Sequence, residues 1–402
     1  MRNILVLTYW SFNDPLIQTY TLPYLKIMIS VLPAGSKIYL LCLEQKQYAG
    51  ETQDTVSKLR DLEALGIHVI QKKYVPFGTK AILAWAPILV QLSAIILLKK
   101  IKYIHCWCTP PAIFGLILAK VWRRKLILDS YEPHAETMLE NNVWHPSSRS
   151  YKILNVFEKL MTKNADFIIG TTKGMLEYAK RKYGHSIRNF EVKPACVNVE
   201  QFNFQMEKDQ GLAKSLGLQD KTVMLYAGKF GGIYYDKEVF EFIKVARDYF
   251  GADKFRALIL SNHSQEEIEL FCKEIDLDSN CIVLRFVKHQ EIQNYMRLAD
   301  FAICPVRSIP TKRYCTPIKT GEYWSMGLPV MISKDISDDS RIISERKIGY
   351  EWQSMDNQEF LRSCAVISEM MKDNTLQERV RITAFDYRDF DIAIKVYEKV
   401  YG

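Results

Sequence analysis

The stretch Thr316-Pro317-Ile318-Lys319-Thr320-Gly321-Glu322-Tyr323-Trp324-Ser325-Met326-Gly327-Leu328-Pro329-Val330 reads as a short capped helix that stops and runs at once into a buried strand. Thr316 is placed to cap the exposed donors, and Pro317 suits the first helical position, where a missing N–H costs nothing. Gly327 ends the helix, and Pro329 blocks its continuation before the apolar Val330-Met331-Ile332. The same segment carries the devices that hold a diphosphate. Its first amides, led by Ile318, would face an anion with the positive end of the helix dipole behind them. Glu322 lies about one and a half turns in, deep enough to accept two vicinal ribose hydroxyls once phosphates sit at the tip. Lys319 precedes it by one turn, on a neighbouring face from which it can address a phosphate or a sugar.

Working outward, the helix-to-strand step repeats along the chain. Apolar runs of strand character at 4–7, 38–43, 68–70, 103–106, 126–128 and 167–169 alternate with longer helix-period stretches. Such alternation means parallel βαβ units. The pattern pauses at 192–202 and restarts with Val223-Met224-Leu225-Tyr226-Ala227-Gly228, followed by strand runs at 257–260, 282–284, 301–303 and 330–332. The expected organisation is therefore α/β in two domains, 1–197 together with 385–402 and 203–384. The C-terminal stretch has Ile392, Val396 and Val400 at helical spacing, which needs a surface to pack on and is expected to cross back to the first domain.

Composition narrows the class. With 402 residues, 48% hydrophobic and 25% charged, the chain is globular and long enough for two cores. Nine cysteines fall without zinc or C-x-x-C spacing, which fits a reducing cytoplasm. The net charge of +8 is spread among acidic residues, with no nucleic-acid-binding motif. The run 4–7 is too short for a signal peptide and has no cleavage site. Residues 81–98 approach the ~20-residue length that spans a bilayer, but Trp85, Pro87, Gln91 and Ser93 interrupt the run. A buried or membrane-resting helix is expected there, and Lys99, Lys100, Lys102 and Arg123-Arg124-Lys125 could hold the first domain on anionic lipid at the inner face of the cell membrane. Two Asp-x-Asp matches, at 276–278 and 389–391, do not follow buried strands, and no metal site is expected.

Gly228-Lys229, Leu284-Arg285-Phe286-Val287, Ala299-Asp300-Phe301-Ala302-Ile303-Cys304-Pro305 and the opening stretch together resemble the GT-B glycosyltransferases, the second half being most similar to the retaining family 4. The resemblance spans essentially the whole chain. It implies two Rossmann-like domains facing a central cleft, with a C-terminal helix returning to the first domain. It also implies transfer of a sugar from a UDP- or GDP-sugar to a growing cell-surface glycan, polysaccharide or lipopolysaccharide precursor, without cofactor or metal.

The leaving diphosphate then needs fixed cations. Lys229 matches the family's first cation and Lys237 its second, although the intervening 230–236 loop is longer than usual. Phe286, Val287, Thr316, Pro317, Ile318, Lys319 and Glu322 complete the implied donor set. Many members carry a pair of glutamates here; Tyr314 stands at the first position, so the sugar contact must differ. His134, in Asp129-Ser130-Tyr131-Glu132-Pro133-His134, resembles the family's catalytic histidine. Glu132, Asn13 and Asp14 are candidates for the acceptor, the last two standing where the family has a Gly-Gly loop. Two other functions share the architecture: nucleotide-sugar 2-epimerisation, which needs paired acid and base groups, and non-catalytic glycan binding.

Overall fold

The computed structural model describes residues 1–48, 53–75, 79–202 and 207–402, with the backbone alone for 79–82. The chain divides into two compact units, Met1–Pro194 with Asp391–Gly402, and Ala195–Phe390. The return to the first unit thus begins at Asp391 rather than at 385, and the expected start of the second domain at 203 lies outside the described residues.

In the first unit seven strands form one parallel sheet in the order β3-β2-β1-β4-β5-β6-β7. They are β1 Asn3–Leu7, β2 Ile38–Glu44, β3 Ile67–Lys73, β4 Ile101–Trp107, β5 Lys125–Tyr131, β6 Phe167–Gly170 and β7 Phe190–Val192. The second unit has six, also parallel, in the order β10-β9-β8-β11-β12-β13: β8 Thr222–Ala227, β9 Phe255–Leu260, β10 Ile282–Arg285, β11 Phe301–Cys304, β12 Val330–Ser333 and β13 Gly349–Trp352. The central strands read as unbroken apolar runs because helices cover both faces. Ile4 to Leu7 and Met224 to Tyr226 have no exposed surface. Each sheet reverses its strand order once, between β1 and β4 and between β8 and β11, and ligands of such sheets bind beyond the carboxyl ends of the strands at that point.

Two strands are illegible from periodicity. β7 is three residues long. β13 begins at Gly349, whose φ of +156° brings the backbone so close to β12 that a Cβ would lie 1.9 Å from the Val330 carbonyl oxygen. Only glycine permits that approach.

The terminal helix Phe390–Tyr401 packs in the first unit through Ala393, Val396, Tyr397, Val400 and Tyr401. Its tyrosines complete a buried polar group. Tyr397 donates to Asp129 Oδ2 at 2.7 Å, and the Tyr401 hydroxyl lies 2.6 Å from His105 Nδ1. Asp129 also meets His105 Nε2 and Lys193 Nζ, each at 3.2 Å. The Lys193 ammonium sits 3.8 Å from the Tyr24 ring centre and 5.2 Å from that of Trp107. Burial pushes the Asp129 carboxyl up, but Lys193, His105 and Tyr397 outweigh it and hold the group well below the usual carboxylate range.

Candidate active site

The helix Ile318–Ser325 straddles the reversal point of the second sheet. Tyr323 accepts from the Ala227 amide at 2.8 Å, tying it to the end of β8, and Thr320 donates to Cys304 Sγ at 3.6 Å, tying it to the end of β11. Met326 and Gly327 close it as the sequence implies: the Gly327 amide bonds the Trp324 carbonyl, with φ +71° at the glycine.

Its start differs from expectation. Pro317 is the N-cap, with extended backbone (ψ 128°), and the first helical residue is Ile318. Thr316 therefore stands one position too early to cap. The proline ring fixes φ, here −69°, but leaves ψ free, so Pro317 can stand extended at the N-cap as readily as helical one position later. A proline at the N-cap has no side-chain oxygen to offer the first-turn amides.

Lys319 is the feature around which the site is built. Its ammonium nitrogen is buried and meets no hydrogen-bond acceptor. It lies 3.9 Å from the ring centre of Tyr234 and 4.7 Å from that of Tyr226. It also occupies the space beside Gly228, where an added Cβ would come within 2.6 Å of Nζ. Desolvation pushes its pKa down to about 8, against the pull of Cys304 and Glu322.

The long loop 230–236 makes this arrangement. It folds onto the exit of β11, where the Tyr235 amide donates to the Pro305 carbonyl at 2.9 Å and the Arg307 side chain donates to the Tyr234 carbonyl at 2.9 Å and to Asp236 at 3.0 Å. The extra residues thus deliver the Tyr234 ring to Lys319. They leave Lys237 outside the group: it opens the helix Lys237–Phe250, exposed, with its ammonium 3.7 Å from Glu241. Lys229 follows Gly228 directly and is exposed, while its carbonyl accepts from the Tyr226 hydroxyl.

Glu322 is nearly buried, at 8% exposure, and its Oε1 lies 2.7 Å from His289 Nε2. That bond, with the carboxylate charge, raises the pKa of His289 against the effect of burial. His289 was not anticipated. It sits in a short 3-10 turn after β10, and nothing local in Val287-Lys288-His289-Gln290 marks it as a partner of a helix 33 residues on. Ahead of it, Phe286 is 76% exposed and Val287 packs on the unit's core.

In the first unit, His134 opens the seven-residue helix His134–Glu140, with its amide on the Glu132 carbonyl at 2.8 Å and its ring 6.4 Å from Trp144. Glu132 is half-buried beside it. Asp14 accepts from the Leu16 amide at 2.9 Å, forming an Asx turn into the following helix. Asn13 donates to the Tyr48 carbonyl at 3.4 Å and accepts from Thr55 at 3.3 Å. Both hold the loop after β1. Among the described residues no three histidine, cysteine, aspartate or glutamate side chains gather as a metal site.

Residues 221–368, about three quarters of the second unit, match the family model described as Glycosyl transferases group 1. The second unit is a group 1 glycosyltransferase domain. Among solved structures, sucrose-phosphate synthase from Thermosynechococcus elongatus is similar over 100% of this chain and 98% of its own, with a TM-score of 0.72 and 13% identity. HepE of Anabaena in complex with UDP matches 100% of this chain and 99% of its own, at TM-score 0.72 and 13% identity. WaaG, described as a glycosyltransferase involved in lipopolysaccharide biosynthesis, matches 99% and 100%, at 0.71 and 12%. The glycosyltransferase thus has the GT-B fold of two Rossmann-like domains along its whole length. Among curated proteins none matches its sequence.

Proposed function

We propose that this glycosyltransferase moves one sugar, with retention, from a UDP- or GDP-sugar to a growing cell-surface glycan. The observation that carries the proposal is the buried ammonium of Lys319, which meets no hydrogen-bond acceptor, at the sheet reversal, beside Gly228 and in the first turn of a helix whose N-cap is a proline. A cation held there without an acceptor is what a departing diphosphate needs, and its field is strong because water is excluded. As the bond from the anomeric carbon to the β-phosphate oxygen breaks, negative charge grows on that oxygen and Lys319, Lys229 and the first-turn amides receive it. The acceptor oxygen attacks the same face and its proton passes to the departing phosphate oxygen. Glu322, oriented by His289, is assigned to the ribose hydroxyls, and Phe286 with Val287 to the base. His134 is assigned to a substrate hydroxyl, with Asn13, Asp14 and Glu132 as acceptor-side candidates. The UDP in the HepE structure and the role of WaaG in lipopolysaccharide assembly support this choice of donor and product class.

The test is nucleotide binding followed by thermal shift. UDP or GDP should raise the melting point of the parent, and Lys319→Met and Glu322→Ala should lose most of that shift. Equal shifts in parent and both variants would place the nucleotide elsewhere.

A further inference from the structure

The helix Thr79–Leu98 is apolar on both sides, and only one side has a protein to meet. Trp85, Leu92 and Ile96 are buried, with Trp85 stacked on Phe114 of the helix Thr109–Trp122 at 3.7 Å between ring centres. The two helices are further pinned by Trp122 Nε1 donating to Ser93 at 2.9 Å. On the opposite side, Leu83, Val90, Leu97 and Leu98 are 77%, 72%, 50% and 78% exposed, and Val121 of the neighbouring helix is 63% exposed. The seven-residue spacing from 83 to 90 to 97 keeps these on one stripe. A stripe of this kind on a surface helix marks a contact.

Charge says what the contact is. Residues 64–128 hold ten lysines and arginines and no aspartate or glutamate. Lys99, Lys100 and Lys102 follow the first helix, and Arg123 and Lys125 the second, all exposed. Adjacent strands bring them together: Tyr103 of β4 is in register with Lys125 of β5, and the Lys102 and Lys125 ammonium groups lie 5.4 and 5.8 Å from the Tyr103 ring centre. A second copy of the chain docking here would meet no carboxylate on this face to answer its own cations. No described helix is long and apolar enough to cross a membrane.

We infer that the outer face of helices Thr79–Leu98 and Thr109–Trp122 lies flat on an anionic lipid bilayer, the leucine and valine stripe entering the headgroup boundary and the lysines and arginines meeting lipid phosphates. The inference stands on this surface alone and does not depend on the donor chemistry.

The experiment is flotation of the full chain with vesicles of phosphatidylcholine alone and of equal parts phosphatidylcholine and phosphatidylglycerol. Binding is expected to the mixed vesicles only, with release at high salt. The triple variant Lys99→Glu, Lys100→Glu, Arg123→Glu should bind roughly a hundredfold less, at about fivefold per cation. Leu83→Ser with Val90→Ser should weaken binding to the same vesicles. Both alter exposed positions, and unchanged circular-dichroism melts verify that they fold. Equal binding to both vesicle types, no binding by the parent, or a charge variant that binds like the parent would each overturn the inference. So would a parent dimer that dissociates on Leu83→Ser with Val90→Ser and floats with neither vesicle.

Discussion

Two buried lysines stand beyond strand ends in the two units, and they are handled in opposite ways. Lys193 in the first unit has Asp129 at 3.2 Å and a surround of tyrosine and tryptophan rings, while Asp129 is itself answered by His105 and Tyr397. Lys319 in the second has two tyrosine faces and no acceptor. A buried ammonium without a counter-ion is expensive to keep. The first cluster is closed and serves the fold; the second is held open, and an anion is what closes it.

The comparison predicts substitutions of opposite sign. Asp129→Asn leaves Lys193 buried without its carboxylate and should lower stability by about 3–5 kcal/mol, read by denaturant unfolding. Lys319→Met should leave stability equal or higher in the same assay while cutting transfer by about a hundredfold to a thousandfold, the scale of one lost oxyanion donor. Comparable destabilisation in both variants would erase the distinction. His289→Ala should raise the donor KM by about tenfold with little change in kcat, since the histidine only orients Glu322.

The pH dependence sharpens the contrast. Lys319 is charged below its pKa of about 8, so the donor KM should rise as pH passes that value, and a bound diphosphate should move the rise to higher pH. Lys319→Arg should abolish the rise if it retains any binding.

A last, purely structural effect belongs to Glu158. It accepts from Thr109 and the Ala135 amide at 3.1 Å each and from Tyr183 at 3.1 Å, and burial pushes its pKa up to about 7. The folded state therefore holds a proton that the unfolded state has released. Its contribution is fully present below the ordinary carboxylate pKa and is lost as pH rises through about 7. Glu158→Gln should flatten that part of the stability profile.

The alternation of strand and helix was legible because parallel strands buried on both faces are unbroken apolar runs, as in Ile38 to Leu43. β13 was not, because its position depends on a glycine's approach to Val330 rather than on its own hydrophobicity. In the site, Lys319 and Glu322 could be found from their spacing within one helix. Two features could not. His289 reaches Glu322 across 33 positions, and the length of the 230–236 loop does not reveal that it folds inward with Tyr234 and leaves Lys237 on the surface. Spacing within an element survives translation into structure, whereas the path of a loop is set by what it packs against, here Pro305 and Arg307.

The terminal helix has a consequence for how the protein is made. Asp129 and His105 belong to strands synthesised early, yet their hydroxyl partners Tyr397 and Tyr401 emerge only after the entire second sheet has left the ribosome. Until the helix Phe390–Tyr401 arrives, Asp129 and His105 lack those hydroxyl partners. Full closure of the earlier half thus depends on a helix that follows the later half in the chain.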